Sequence, residues 1–361
     1  MARYPGEETE RRYPEPVLRD VVSQVFAACG MTGADAVTLA ESLVHADRRG
    51  IHSHGVLRVP DYVKKMTEDG VDPRGRPRIV SDSGAALVID GDNAMGQIAG
   101  TLAVDAVIDR ARTVNVAFAA VRGSNHSGAL DWYTMRIAMQ GMIGVAGSNA
   151  LPTMAPWGGV DKIVGLNPIS IAVPGGGRGP IVLDVALGAT AHGKIRVYAQ
   201  KEQPIPEGWA FDAAGAPTTD AAAALEGLIQ PIGGHKGIGL AVMVGLLASV
   251  LSGAGYGTES GNMLDGATPG ADGQFYLAIN VSAFRDIADF AEHVDRIARQ
   301  YRDSRRADGV ERLYLPGDLE AEFAERNRRE GIPLNDEAVA LIVEAGTRLG
   351  VDTNTLLQSA R

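Results

Sequence analysis

Apolar residues recur every three or four positions over 16–29, where Val17, Leu18, Val21, Val22, Val25 and Phe26 share one face, and Gly30 ends the run. That spacing predicts an amphipathic helix. A second helix is expected from Thr32, with Leu39, Leu43 and Ala46 on one face and Gly50 as its stop. A third is expected around 62–66, which leaves IHSHG (51–55) as the loop between them. The period then changes, and the runs ALVID (86–90), VAFAAV (116–121), MIGVAG (142–147), ISIAV (169–173), IVLDVA (181–186) and FYLAI (275–279) predict strands. Residues 102–111, amphipathic and long enough for a crossover helix, lie between the first two runs. This βαβ signal predicts an α/β fold around a central sheet.

The C-terminal part returns to charged amphipathic helix at 286–302 and 319–329. Gly331 and Pro333 break the chain, and Asn335 or Asp336 caps a last helix carrying Ala338, Leu341, Ile342 and Ala345. These helices are expected to pack with those of the N-terminus. The helical layer is then discontinuous, residues 1–75 with 285–361, around an α/β part at 76–284. No internal repeat and no long linker separates the two parts.

Of the 361 residues, 45% are apolar and 22% charged, the balance of a soluble globular protein, which excludes disorder and coiled coil. A net charge of -10 sets a field that repels nucleic acid and anionic membrane. The single cysteine, Cys29, excludes an intramolecular disulfide and a cysteine-built metal cage, and fits a reducing compartment. The opening MARYPGEETERRYPEP mixes both charge signs without an apolar core, so neither a secretory signal nor an anchor is read there, and a cytoplasmic location is expected. The uncharged stretch 238–256 approaches the ~20 residues of a membrane span. It holds several glycines and serines and stands alone, so it is read as a buried core helix.

His45, His52 and His54 fall within ten residues, and histidine exchanges a proton near neutrality without a special environment. In GIHSHGVLR a glycine on either side frees the backbone, Ser53 adjoins His54, and Arg58 follows within reach of a bound anion. The alternative is a solvent-facing loop with incidental histidines. GSNHSG (123–128) places His126 at the carboxyl end of a strand, where open α/β sheets bind ligands; the alternative is a histidine making only local bonds. No metal site is expected, because no HxxxH or paired-carboxylate spacing occurs.

No GxGxxG occurs, so the regular Rossmann fingerprint is absent. GATAHGKI (188–195) matches the GxxxxGK core of a P-loop but has Ile195 where a magnesium-binding hydroxyl belongs. PGGGRG (174–179) and PIGGHKGIG (231–239) can present backbone N–H groups to phosphate. The second opens a helix whose dipole and Lys236 both favour an anion, the alternative being a turn with a solvated lysine. Arg296, Arg299, Arg302, Arg305 and Arg306, interleaved with acids, read as a solvated helix face.

Taken in order, ADRRGIHSHGVLRVPDY (46–62), GSNHSGALDWY (123–133), MAPWGG (154–159), GLNPISIAVP (165–174), LDVALGATAHGK (183–194), IPEGWAFDAAGAPTTD (205–220), GGHKGIGLA (233–241) and LPGD (315–318) resemble the type-2 malate/L-lactate dehydrogenases. Relatives in that family include ureidoglycolate and sulfolactate dehydrogenases and piperideine-2-carboxylate reductase. The resemblance implies a non-Rossmann NAD(P)-binding fold of the L-sulfolactate dehydrogenase-like type, with a central mixed sheet and helices on both faces. It implies a homodimer or dimer of dimers held by the terminal helical part, with the active site near a subunit interface. The implied reaction is hydride transfer between C4 of NAD(H) or NADP(H) and C2 of a small 2-hydroxy/2-oxo acid. The alternatives are a cyclic imine reductase and a non-catalytic protein that kept the fold.

Position by position, the resemblance makes His54 the proton donor to the substrate oxygen, with Ser53 and Asp184 as relay partners, and His126 the acid/base that some members use instead. Arg58 matches the arginine that holds the substrate carboxylate, a role suited to a two-pronged guanidinium. Ser127, Lys194 and His235 fall on the substrate side. Asp184, Val185, Ala186 and Lys236 match cofactor-contacting segments. Three departures stand out. DVALG replaces the usual DMATS, so Leu187 and Gly188 remove two hydroxyls; Ser127 takes the place of a common phenylalanine; and His235 stands where tyrosine is frequent.

Overall fold

The computed structural model describes residues 9–360 apart from Leu264, Gly266 and Thr268, so residues 1–8 of the N-terminal reading lie outside it. A seven-stranded sheet organises the chain, in the spatial order Arg78–Asp82, Ala86–Asp90, Val116–Ser124, Asp272–Asn280, Met142–Ser148, Ile169–Val173, Ile181–Val185. Ala86–Asp90 and Val116–Ser124 run parallel, joined by the helix Gly96–Val114 as the βαβ signal predicts. The other neighbours are antiparallel, so the sheet is mixed.

Strand side chains alternate between faces. Ala117, Ala119, Val121, Tyr276 and Ala278 face the Gly96–Val114 helix and the short helix Asp131–Ala138. Phe118, Val145 and Phe275 face the His235–Gly245 helix on the other side. A separate core joins Leu18, Phe26, Leu39, Leu43 and Tyr62 from the N-terminal helices to Ile332, Ile342 and Leu356 from the C-terminal end. Local caps set these helices as the sequence indicates. The Thr32 side chain accepts from the Asp35 N–H, and Asn335 Oδ1 accepts from the Ala338 N–H at 2.7 Å. The strands Arg11–Tyr13 and Ile332–Leu334 pair antiparallel and fasten the two ends of the chain together.

Two expectations change. The stretch 238–256 is not a buried core helix throughout. Ile238, Ala241, Val244 and Ala248 enter the core, while Leu240 and Met243 are each 56% exposed and Val250 and Leu251 each 57%. A helix lying on a sheet buries one stripe only. Among the described residues no helix is long and apolar enough to cross a membrane. The PGGGRG loop does not offer free amides, because the Gly176 and Gly177 N–H groups donate to the Asp295 carboxylate, each at 3.1 Å. The chain's own anion fills that cradle.

Candidate active site

The helix Gly33–Arg48 ends beside Asp47, whose carboxylate is almost fully buried and shapes the turn that follows. Its Oδ1 lies 2.7 Å from His52 Nδ1, and its Oδ2 accepts the Val56 N–H at 2.6 Å. A Cβ at Gly55 would fall 2.1 Å from Asp47 Oδ1, so glycine is what lets the chain wrap around the carboxylate. Two short 3-10 turns result, His52–His54 and Val56–Arg58. On them Ser53 Oγ lies 2.9 Å from His54 Nδ1, and Arg58 donates from Nε to Ser53 O at 2.7 Å and from Nη1 to Asp61 Oδ2 at 3.0 Å.

His126 arrives from the opposite layer, on the segment that leaves the strand Val116–Ser124. Buried Asn125 pins that segment, donating to Ala94 O at 3.0 Å and accepting from Gly270 N at 3.0 Å. The rings of His54 and His126 stack with centroids 5.5 Å apart and 14° between planes. Burial, helped by the charge of Arg58, lowers the proton affinity of His54 to a pKa of about 4. Burial followed by His54 and Arg58 holds His126 well below the ordinary histidine range. Both imidazoles are therefore neutral at neutral pH.

Asp184, at the end of the strand Ile181–Val185, accepts the Asp131 N–H at Oδ2, 2.9 Å away. Burial and then the charge of Asp131 raise its pKa to about 7. Burial also pushes Asp131 up, but His45 and Arg49 outweigh it and hold Asp131 down to about 2. Arg49 Nε donates to Asp131 Oδ2 at 2.5 Å, and His45 Nε2 lies 3.4 Å from Oδ1. Sequence reasoning did not single out Arg49 or Asp131, nor Tyr62 and Gln97, which stand behind His126. The available signal was indirect: a buried arginine requires a carboxylate, but nothing local says which one.

Beyond Asp184 the LDVALG segment runs beside the PIGGHK turn. Ile232 N donates to Leu187 O at 3.0 Å, and Gly188 bridges Pro231. This accounts for the DVALG departure. Leu187 packs into the core with Ile195 and Ile229, and a Cβ at Gly188 would fall 2.4 Å from Leu166 Cδ2. Val185 is half-buried, and Ala186, Lys194, His235 and Lys236 are exposed along these segments. Ser127 is buried, its carbonyl accepting from the Tyr133 hydroxyl at 2.7 Å. It does not cap the following helix, which has Leu130 at its N-cap and no side-chain cap bond.

The residues of the second segment fit a nicotinamide dinucleotide. The His235–Gly245 helix begins without a side-chain cap, and Gly233 and Gly234 precede it at φ 60° and 65°. A Cβ at Gly233 would meet nothing within 4 Å, and the buried Thr190 hydroxyl nearby in sequence to Gly188 has no partner. A helix N-terminus without a side-chain cap, beside Lys236, suits a pyrophosphate. Among the described residues no group of three or more His, Cys, Asp or Glu is placed to hold a metal.

Comparison with known proteins agrees with this geometry. The malate/L-lactate dehydrogenase family profile matches residues 14–343. The chain is 33% identical to the malate dehydrogenase of Pyrococcus abyssi over 353 residues, covering 96% of this chain and 97% of that one. It is 35% identical to the L-sulfolactate dehydrogenase of Methanocaldococcus jannaschii over 340 residues, covering 94% and 98%. The solved structure of the sulfolactate dehydrogenase from Methanocaldococcus jannaschii superposes with a TM-score of 0.90 at 34% identity, covering 96% of this chain and 99% of that one. The mixed sheet, the paired histidine segments and these matches along nearly the whole chain have one reading: the protein belongs to the malate/L-lactate dehydrogenase family of oxidoreductases.

Proposed function

We propose that this chain reduces a small 2-oxo acid to the 2-hydroxy acid, and catalyses the reverse, with NAD(H) or NADP(H) as partner. The observation that carries the reading is the stacked His54–His126 pair beside Arg58. The cofactor supplies the hydride; the protein orients the substrate, binds its carboxylate and manages one proton. Arg58 is held through Nε and Nη1 by Ser53 and Asp61, which leaves Nη2 to meet the substrate carboxylate. His54 is the proton carrier. It is neutral at rest, and a substrate anion drawn in by Arg58 raises its proton affinity at the moment of use. The exposed Ser53 hydroxyl links its Nδ1 to solvent. His126, neutral, half-buried and bonded to Tyr62, donates a hydrogen bond to the substrate oxygen. Asp184 to Ala186, the Gly233 turn and Lys236 would hold the dinucleotide.

The substrate side chain is larger or more polar than methyl, a ureido or carboxylate group being the leading case, because Ser127 adds a hydroxyl where a ring is common. Two further parts of the proposal follow from surface and composition. Leu240, Met243, Leu247 and Val250 form an exposed apolar stripe that a second copy of the chain would cover, in a homodimer or larger homo-oligomer. The single cysteine supports a cytoplasmic location. The test is oxidation of NADH and NADPH, followed by absorbance, against a panel of 2-oxo acids and cyclic imines. Turnover with a polar 2-oxo acid is expected. Turnover with imines alone, or with nothing, overturns the reading.

A further inference from the structure

We propose that Tyr62 and Gln97 are a positioning pair that fixes the tautomer of His126, holding Nδ1 as an acceptor so that Nε2–H is the edge offered to the substrate oxygen. The Tyr62 hydroxyl lies 2.6 Å from His126 Nδ1, and Gln97 Nε2 donates to the same hydroxyl at 3.2 Å. Tyr62 is 1% exposed and Gln97 is fully buried, so water does not compete for these bonds. A phenol carries one hydrogen. Once its oxygen accepts from Gln97, that hydrogen is left for His126.

The chain of bonds can be drawn in reverse, with the Gln97 carbonyl accepting from Tyr62 and His126 Nδ1–H donating to the phenol oxygen. A third group decides between the two. The Gly128 N–H donates to His126 Nδ1 at 3.3 Å, and a protonated Nδ1 has no lone pair to receive it. Two donors therefore converge on one nitrogen. Gly128 makes this geometry available: it sits at φ 71°, and a Cβ there would fall 2.9 Å from Gln97 Nε2. Burial also pushes the Tyr62 hydroxyl far above the ordinary phenol range, so it is a donor and not a phenolate. Lys65 and Asp272 are the charged groups that line the small void behind Tyr62 and His126. The stacked His54 ring restricts rotation of His126 from the other side.

The consequence for chemistry is a matter of sign. An Nε2–H polarises a developing oxyanion, whereas the other tautomer would aim a lone pair at it. Only this consequence rests on the proposed function; the tautomer itself does not.

The experiment uses the whole protein labelled with 15N-histidine. Long-range 1H–15N spectra read the protonation of each ring nitrogen near neutral pH, and His126→Gln identifies the His126 signals by their loss. Wild type is expected to show an unprotonated Nδ1 and a protonated Nε2. In Tyr62→Phe, which keeps the ring volume and leaves only the long 3.3 Å bond from the Gly128 N–H on Nδ1, the signals are expected to move toward a mixture of tautomers. In the same variant kcat should fall about tenfold while KM stays within about twofold. Gln97→Met should move both in the same direction by less. A protonated Nδ1 in wild type overturns the proposal, as does Tyr62→Phe with either an unchanged tautomer or unchanged kcat. If wild type turns over no compound in the panel, the proposed function fails while the spectra still decide the tautomer.

Discussion

Arg49 and Asp131 meet inside the protein, Nε to Oδ2 at 2.5 Å, with side chains 5% and 1% exposed. Arg49 closes the helix that leads into the His54 turn, and Asp131 opens the helix that follows the His126 segment. The Asp131 N–H also donates to Asp184. One buried ion pair therefore sets three segments of the site against one another.

Removing one partner leaves the other charged and uncompensated in the interior. Asp131→Ala should cost about 3–5 kcal/mol in urea denaturation, whereas the paired replacement Arg49→Met with Asp131→Leu should recover most of it. A loss below about 1 kcal/mol for Asp131→Ala, typical of surface pairs, would show that the pair anchors nothing.

If His54 carries the proton, His54→Ala should lower turnover by ~10²- to 10⁴-fold, the usual contribution of general acid/base catalysis. Cofactor binding, followed by nicotinamide fluorescence, should stay near wild type. Full turnover in this variant would move the proton to His126.

Arg58→Lys keeps the charge but loses the guanidinium that Ser53 O and Asp61 hold in place with Nη2 free, so the Michaelis constant for the best 2-oxo acid should rise. Asp61→Asn keeps a carbonyl acceptor that holds Nη1 but removes the negative charge beside the guanidinium, so the substrate carboxylate is attracted more strongly and the constant should fall. An unchanged constant in both variants removes Arg58 from the site.

Four half-buried groups give stability a pH dependence with opposing signs. His54, lowered from 6.5 to about 4, and His126, held well below 6.5, take up protons on unfolding, so their contribution rises with pH below 6.5. Asp184 and Asp272, raised from 3.8 to about 7, hold protons that the unfolded chain releases, so theirs falls as pH rises from 3.8 to 7. Asp272→Asn removes one falling contribution. Its stability relative to wild type should therefore climb with pH between 4 and 7, measured as denaturation midpoints across that range. A relative decline would reverse the assignment.

Ser127→Phe restores an aromatic ring beside His126. Catalytic efficiency for pyruvate relative to a longer polar 2-oxo acid should rise in the variant, from a wild-type ratio that favours the polar acid. A wild type that already prefers pyruvate, or a ratio that the substitution leaves alone, places size selectivity elsewhere.

Much of this architecture is legible in the order of residues because it depends on neighbours a few positions apart. Period and caps locate the helices Glu15–Ala28 and Gly33–Arg48, and the strands Ala86–Asp90 and Ile169–Val173 end where their apolar runs end. The same local reading marks Ser53, His54, Arg58 and His126, through glycine-flanked turns and the family resemblance. It does not reveal the edge strand Arg78–Asp82, whose residues are all exposed and show no alternation of burial. Nor does it join Arg11–Tyr13 to Ile332–Leu334, Asp295 to the PGGGRG amides, Arg49 to Asp131, or Gln97 through Tyr62 to His126. Those contacts carry no period, since their partners come from separate elements and meet only when the sheet and the helical layer close. The helix His235–Gly245 shows the difference in a single element. Its apolar composition is written in the sequence, but which of its faces is covered depends on the sheet beneath it.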